Sequence, residues 1–238
     1  MIAMGLWDKI KNIFRKKKEP EKPLVEQPDP VEPPKDNIEK YIDGLKLSHA
    51  EIYGIKSRML IAEAVGWLYV REDGQNRGEA VERFQREVDG KANGEPWCMS
   101  FVQFCVNEVD RQFADEYQKG FNPNKLYKSE HVMTCWNKTD PTMRIQISEL
   151  HPGCIIIWQH YKNGKQTSSG HVGIVKEILA NGDIITIEGN THNRNTVVRE
   201  GDGVFEMRRK INVKQASMRV KGFLRAWDGY NGKTNLIV

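Results

Sequence analysis

The chain reads as an α+β domain, with N-terminal helices packed on an antiparallel β-sheet. Two observations predict it. Apolar residues up to about Trp136 recur at helical spacing, and from Cys154 onward they fall into short strand-like runs. Helical segments first and adjacent strands afterwards is the order of a segregated α+β fold.

Taken in order, Ser57 can cap a helix over about Arg58 to Tyr69. Gly78 to Val88 carries Val81, Phe84 and Val88 on one face, and Trp97 to Val109 carries Phe101, Val102, Cys105, Val106 and Val109. A fourth helix is expected near Lys125 to Trp136. Strands are expected over Cys154 to Trp158, His171 to Ile178, Asp183 to Glu188, Gly203 to Arg208 and Met218 to Trp227. Asn181-Gly182, between the second and third of these, is a strong hairpin signal.

Ahead of this domain, which is taken to span residues 37–238, lie two short zones. Over Met1 to Lys18, Leu6, Trp7, Ile10, Ile13 and Phe14 recur at helical spacing among basic residues. This amphipathic segment could lie on an anionic membrane surface, or serve as a solubilising tail or docking helix. Six of the ten prolines then fall between Pro20 and Pro34, mixed with Glu and Asp, so residues 19–36 should form an extended, disordered linker.

Composition excludes several classes. No apolar run approaches the ~20 residues of a membrane helix. The first 18 residues lack a continuous apolar core with a small-residue cleavage site, so no secretion signal is evident and synthesis in the cytoplasm is expected. A net charge of +4 is too weak to nominate nucleic acid, and neither a phosphate-binding loop nor a dinucleotide fingerprint is present. The four cysteines form no Cys-x-x-Cys pair. Cys105, Cys135 and Cys154 read as core thiols. His131 and Cys135 have metal-compatible spacing but no second pair, so neither metal nor cofactor is expected.

Cys98 differs from the other three. It sits in Gly94-Glu95-Pro96-Trp97-Cys98-Met99-Ser100-Phe101, where turn residues give way to a helix-periodic segment. A thiol at a helix N-terminus meets unpaired backbone N–H groups and the positive end of the dipole, which favour the nucleophilic thiolate. A base is available in His171, which opens one strand after Ser168-Ser169-Gly170, and Glu188 and Asn190 close the next. Both are an odd number of residues from His171, so in a hairpin with an even-length loop all three share a face. A two-residue loop would pair Val175 with Glu188 and leave Glu188 ~13 Å along the strand from His171. A wider loop or a bulge is therefore expected, or else Asn190 is the closer partner. The set fits Cys–His nucleophilic catalysis, with an orienting group behind the imidazole and the Cys98 N–H as one oxyanion donor. The loop Glu72-Asp73-Gly74-Gln75-Asn76 is the candidate source of a second donor, through Gln75 or Asn76. Against this stands the plain alternative of a core cysteine and a structural histidine.

Gly94-Glu95-Pro96-Trp97-Cys98, Pro152-Gly153, Gly170-His171-Val172-Gly173-Ile174-Val175 and Glu188-Gly189-Asn190-Thr191 occur in the order that resembles the CHAP family, the cysteine, histidine-dependent amidohydrolases/peptidases. Val70-Arg71-Glu72 and Asn76-Arg77-Gly78 extend the resemblance, which covers about Ile61 to Trp227. It implies a papain-like fold and cleavage of an amide bond, usually in peptidoglycan, through a thioester. Cys98 would be nucleophile, His171 base, Glu188 the orienting acid and Asn190 a supporting polar group, with Trp97, Glu72 and Asn76 as substrate contacts. Cys154 stands where the family often has aspartate, and no acidic calcium loop is evident. The expected activity is that of a muramoyl-alanine amidase or crosslink endopeptidase of endolysin type acting at the bacterial cell wall. The alternatives are an amidase or protease for a small or intracellular substrate, and a non-catalytic wall-binding or virion structural module.

Overall fold

The computed structural model describes residues 47–117, 122–192, 201–211 and 217–232. The expected amphipathic segment and linker lie outside the described residues. The chain divides into two units at Lys46/Leu47, and the described residues all belong to the second.

Helix α1 runs His49–Gly66, not from Arg58. Its start is a capping box. The Ser48 hydroxyl accepts from Glu51 N, and the Glu51 carboxylate accepts from Ser48 N at 2.8 Å. Ser57 is therefore a buried interior residue, not a cap. Its neighbour is Gly153, where an added Cβ would come within 2.7 Å of Ser57 Cβ. Helix α1 buries Lys56 and Glu63 along with Ile52, Met59 and Leu60, which blurs its apolar periodicity. The buried Lys56 ammonium is held by Asp110 at 2.8 Å, and Asp110 also accepts from Trp227 Nε1 at 2.7 Å.

Helix α2 is Glu79–Asp89 and ends on left-handed Gly90. Helix α3 is Cys98–Tyr117, and α4 is Val132–Lys138. The expected helix from Lys125 begins seven residues late because other groups take the backbone donors. Lys125 N bonds Ala226 O, Leu126 N bonds the Asn124 side chain and Tyr127 N bonds Thr139 Oγ1.

Six strands form one antiparallel sheet: β1 Arg144–Ile145, β2 Ile155–Lys162, β3 Lys165–Ile178, β4 Ile184–Thr191, β5 Gly203–Arg209 and β6 Met218–Leu224. The order is β1-β6-β2-β3-β4-β5. Hairpin β2–β3 extends past its expected ends because Asn163-Gly164, both at positive φ, makes a tight turn between Lys162 and Lys165. The helices and sheet form the α+β, papain-like arrangement expected.

Alternation along β2 splits the apolar side chains between two faces. Cys154, Ile156 and Trp158 join Ile145, Val175, Ile184 and Phe223 in one cluster. Ile155 and Ile157, on the other face, are also fully buried. Phe84 on α2 ties the helices together, its ring centroid 5.0–5.7 Å from those of Trp67, Trp97, Phe101 and Phe104. It thereby fixes where α3 starts.

Candidate active site

Cys98 is the first residue of α3, so its backbone N–H points out of the helix start without an intrahelical acceptor. The loop before it is pinned at three places. Asn76 Nδ2 donates to Gly94 O (3.1 Å), Gln85 Nε2 to Glu95 O (2.7 Å) and Arg77 Nη1 to Ala92 O (2.7 Å). Cys98 itself is only 7% exposed. The helix start can approach β4 because residue 189 is glycine: a Cβ there would lie 2.7 Å from Phe101 Cβ and 2.9 Å from the Trp97 ring.

His171 lies opposite Trp158 in the β2–β3 ladder and stacks on it, with centroids 5.7 Å apart and planes at 25°. Its Nε2 meets Glu188 Oε2 at 2.9 Å, and Cys98 is among the neighbours that favour its charged form. With Nε2 committed to the carboxylate, Nδ1 is the nitrogen left for the sulfur. Burial works against a charged imidazole. The hydrogen bonds to Cys98 and Glu188 and their charges overcome it, raising the His171 pKa to about 9.

The β3–β4 register explains how Glu188 gets there. The loop is wider than two residues, since Ile178 pairs with Ile184, and a bulge follows between Val175 and Glu177. Together they pair Val175 with Thr186 instead of Glu188. That shift of two residues preserves the shared face and brings Glu188 ~7 Å closer to His171 along the strand. Continuing the register puts Glu188 across from Gly173. A Cβ at Gly173 would come 2.8 Å from Glu188 Cγ, so the missing side chain is the slot through which the carboxylate reaches the imidazole.

Glu188 is fully buried, and all four of its acceptor positions are filled. Oε1 accepts from Arg209 Nε (2.8 Å) and the Thr186 hydroxyl (2.5 Å), while Oε2 accepts from Arg209 Nη2 and His171 Nε2. Burial alone would raise its pKa. The Arg209 guanidinium, and then His171, bring it down to about 2.

The remaining expected site residues are placed differently. Asn190, at positive φ, does not orient the imidazole; its amide donates to Asn76 Oδ1 at 2.9 Å. Asn76 gives one amide N–H to Gly94 O, so it ties the loops beside Cys98 together and keeps a second N–H. Trp97 has no exposed surface and cannot be a substrate contact: its ring packs on Phe84 and its Nε1 donates to Glu72 at 3.3 Å. Glu72 is half-buried and holds that indole. Sequence reasoning missed Thr186, Trp158, Gly173 and Arg209. Among the described residues, no group of three or more His, Cys, Asp or Glu could hold a metal ion.

Residues 90–190, which hold Cys98, His171 and Glu188, match the family model of the CHAP domain. The chain carries a CHAP domain. CHAP domains are cysteine, histidine-dependent amidohydrolases and peptidases, so the protein is an enzyme of that class, a hydrolase of amide bonds. No curated protein and no solved structure matches the chain. Cys154, the residue at which the chain departs from the family's usual aspartate, is buried immediately before β2, its sulfur 3.3 Å from His151 Nδ1.

Proposed function

We propose that this CHAP enzyme hydrolyses peptidoglycan at the bacterial cell wall, with Cys98 as nucleophile, His171 as base and Glu188 as the orienting acid. The bond cleaved is the muramoyl-alanine amide or an amide of the peptide crosslink. The observation that carries the reading is the 2.9 Å contact of His171 Nε2 with the Glu188 carboxylate, which leaves the other ring nitrogen to serve Cys98.

The steps follow from that tautomer. The Cys98 proton passes to His171 Nδ1, and the thiolate–imidazolium pair is stabilised by Glu188 behind the ring and by the helix start at the sulfur. The sulfur attacks the carbonyl carbon, and the oxyanion is met by the Cys98 N–H. The source of the second donor is the loop that holds Gln75, which is exposed, and Asn76, whose amide keeps a second N–H. Collapse breaks the C–N bond as the imidazolium gives its proton to the departing nitrogen. Water then adds to the thioester with its proton returning to His171, and the C–S bond breaks.

Purified cell walls incubated with the enzyme should lose turbidity, while the Cys98→Ala variant should leave them intact. Mass spectrometry of the released fragments should show new amine termini, and their position names the bond. Equal clearing by both proteins would remove Cys98 from the mechanism. The absence of new amine termini on any wall chemotype would point to another amide substrate.

A further inference from the structure

We infer that Arg209 and Trp158 are positioning residues of this site, forming with His171 and Glu188 a closed clamp that fixes the imidazole at its edge and on its face. The inference rests on the catalytic reading of Cys98 and His171 given above. Arg209 is at the end of β5, opposite Ile184, and on the same sheet face as Thr186 and Glu188. From there its guanidinium reaches along the face and grips both carboxylate oxygens of Glu188 through Nε and Nη2. The same guanidinium lies over the Trp158 ring, 5.4 Å from its centroid, and Trp158 stacks on His171. The four residues thus close a ring: imidazole to carboxylate, carboxylate to guanidinium, guanidinium to indole, indole to imidazole.

Each link has a distinct task. The fork of Arg209 fixes the carboxylate plane, which a single ammonium could not do. Its charge keeps a fully buried carboxylate ionised, and only an ionised Glu188 supports an imidazolium. Trp158 blocks rotation of the ring out of the line between Glu188 and Cys98. Arg209 touches neither the sulfur nor the imidazole, so it acts through Glu188 and Trp158. The titratable groups facing Glu188 are His171 and Arg209, and those facing His171 are Glu188 and Cys98.

The test needs no substrate. The rate of Cys98 alkylation by iodoacetamide is measured from pH 4 to 10 on the whole protein, for wild type, Arg209→Met and Arg209→Lys, with the alkylated residue identified by peptide mapping so that Cys105, Cys135 and Cys154, which have no exposed surface, are scored separately. The wild type should show a broad plateau of fast alkylation reaching well below pH 7. In Arg209→Met the acidic edge of the plateau should move up, giving about tenfold slower alkylation at pH 5 with little change at pH 8. Arg209→Lys should fall between, because it restores charge without the fork. If Arg209→Met does not fold, the lysine variant carries the same comparison. An even loss of rate at every pH, with the acidic edge unmoved in the folded variants, would overturn the clamp and leave the nucleophile reading standing. A wild-type Cys98 that alkylates only above pH 8 would overturn both.

Discussion

Two cysteine–histidine pairs occur among the described residues, and their surroundings differ. Cys98 neighbours His171 and favours its charged form, and Cys154 Sγ lies 3.3 Å from His151 Nδ1. The difference lies in what each imidazole does with its other bonds. His171 gives Nε2 to a buried carboxylate, which leaves Nδ1 to accept a proton from the sulfur. At His151 the roles are reversed. Nδ1 donates to the Glu149 carbonyl at 2.6 Å, and Nε2 accepts from the Tyr53 hydroxyl at 2.7 Å, so Cys154 faces a nitrogen that already holds its proton. Tyr230 stacks flat on the same ring at 4.2 Å. Burial then sets the two apart further. It pushes the Cys154 thiol well up and His151 down, toward the neutral forms of both. Proximity of sulfur to imidazole therefore does not make a nucleophile. The carboxylate behind the ring and the open helix start at the sulfur do.

The largest test of this contrast exchanges each sulfur. Cys98→Ala should lower wall hydrolysis by at least about 10³-fold, the scale on which triad members matter. Cys154→Ala should leave kcat within a few-fold of wild type and show itself only in thermal stability. Comparable losses in both would erase the distinction between the pairs. Glu188→Gln comes next. Its amide would present a donor to Arg209 or to His171 Nε2, both already donors, so the imidazole should lose its tautomer. A fall of about 10²-fold or more in kcat, with an unchanged far-UV spectrum, is expected. The ring nitrogens of His171, followed by ¹⁵N NMR, should show the imidazolium lost at neutral pH.

Gly173→Ala probes the slot itself and should be milder. Its Cβ would meet Glu188 Cγ at 2.8 Å, and the side chain or strand must yield by several tenths of an ångström. Overpacking of this kind costs ~1–3 kcal/mol. About tenfold lower kcat is expected, read alongside the shift in Tm. Full activity would mean that Glu188 reaches His171 by another path.

Much of the reactive pair was legible in the sequence, and the reasons are local. Turn residues followed by helical periodicity place Cys98 at a helix start, and parity across the hairpin puts Glu188 on the face of His171. The distance between them was not legible, because the bulge at Val175/Glu177 leaves no mark in composition. Ser57 was mistaken for a cap because α1 is buried around much of its circumference, which hid the Ser48–Glu51 box ahead of it. Trp97 beside the nucleophile looked like a substrate platform. Its burial depends on Phe84 from α2 and Gly189 from β4, contacts between elements far apart in sequence. Arg209 escaped notice for the reverse reason. A strand-end arginine ordinarily reaches into water, and only the tertiary fold turns this one inward along β5.

The smallest expected effect is in stability, and the two histidines should drive it in opposite directions. The His171 pKa is raised in the fold from an ordinary 6.5 to about 9, so its contribution is complete below pH 6.5 and is lost as pH rises through 9. That rise is worth at most roughly 3 kcal/mol, a value Glu188 shares because the two groups share one interaction. His151 is lowered instead, so its neutral form stabilises the fold above about pH 6.5 and the benefit shrinks as pH falls below that. Chemical denaturation at pH 5, 7 and 9.5 separates them. Replacing His151 with Gln should flatten the acidic side of the profile and leave the alkaline side unchanged. Replacing His171 with Gln should remove the alkaline decline and leave the acidic side as it was. If the His151→Gln variant alters the alkaline side instead, the two pairs are coupled through the sheet, and Cys154 cannot be treated as a bystander to Cys98.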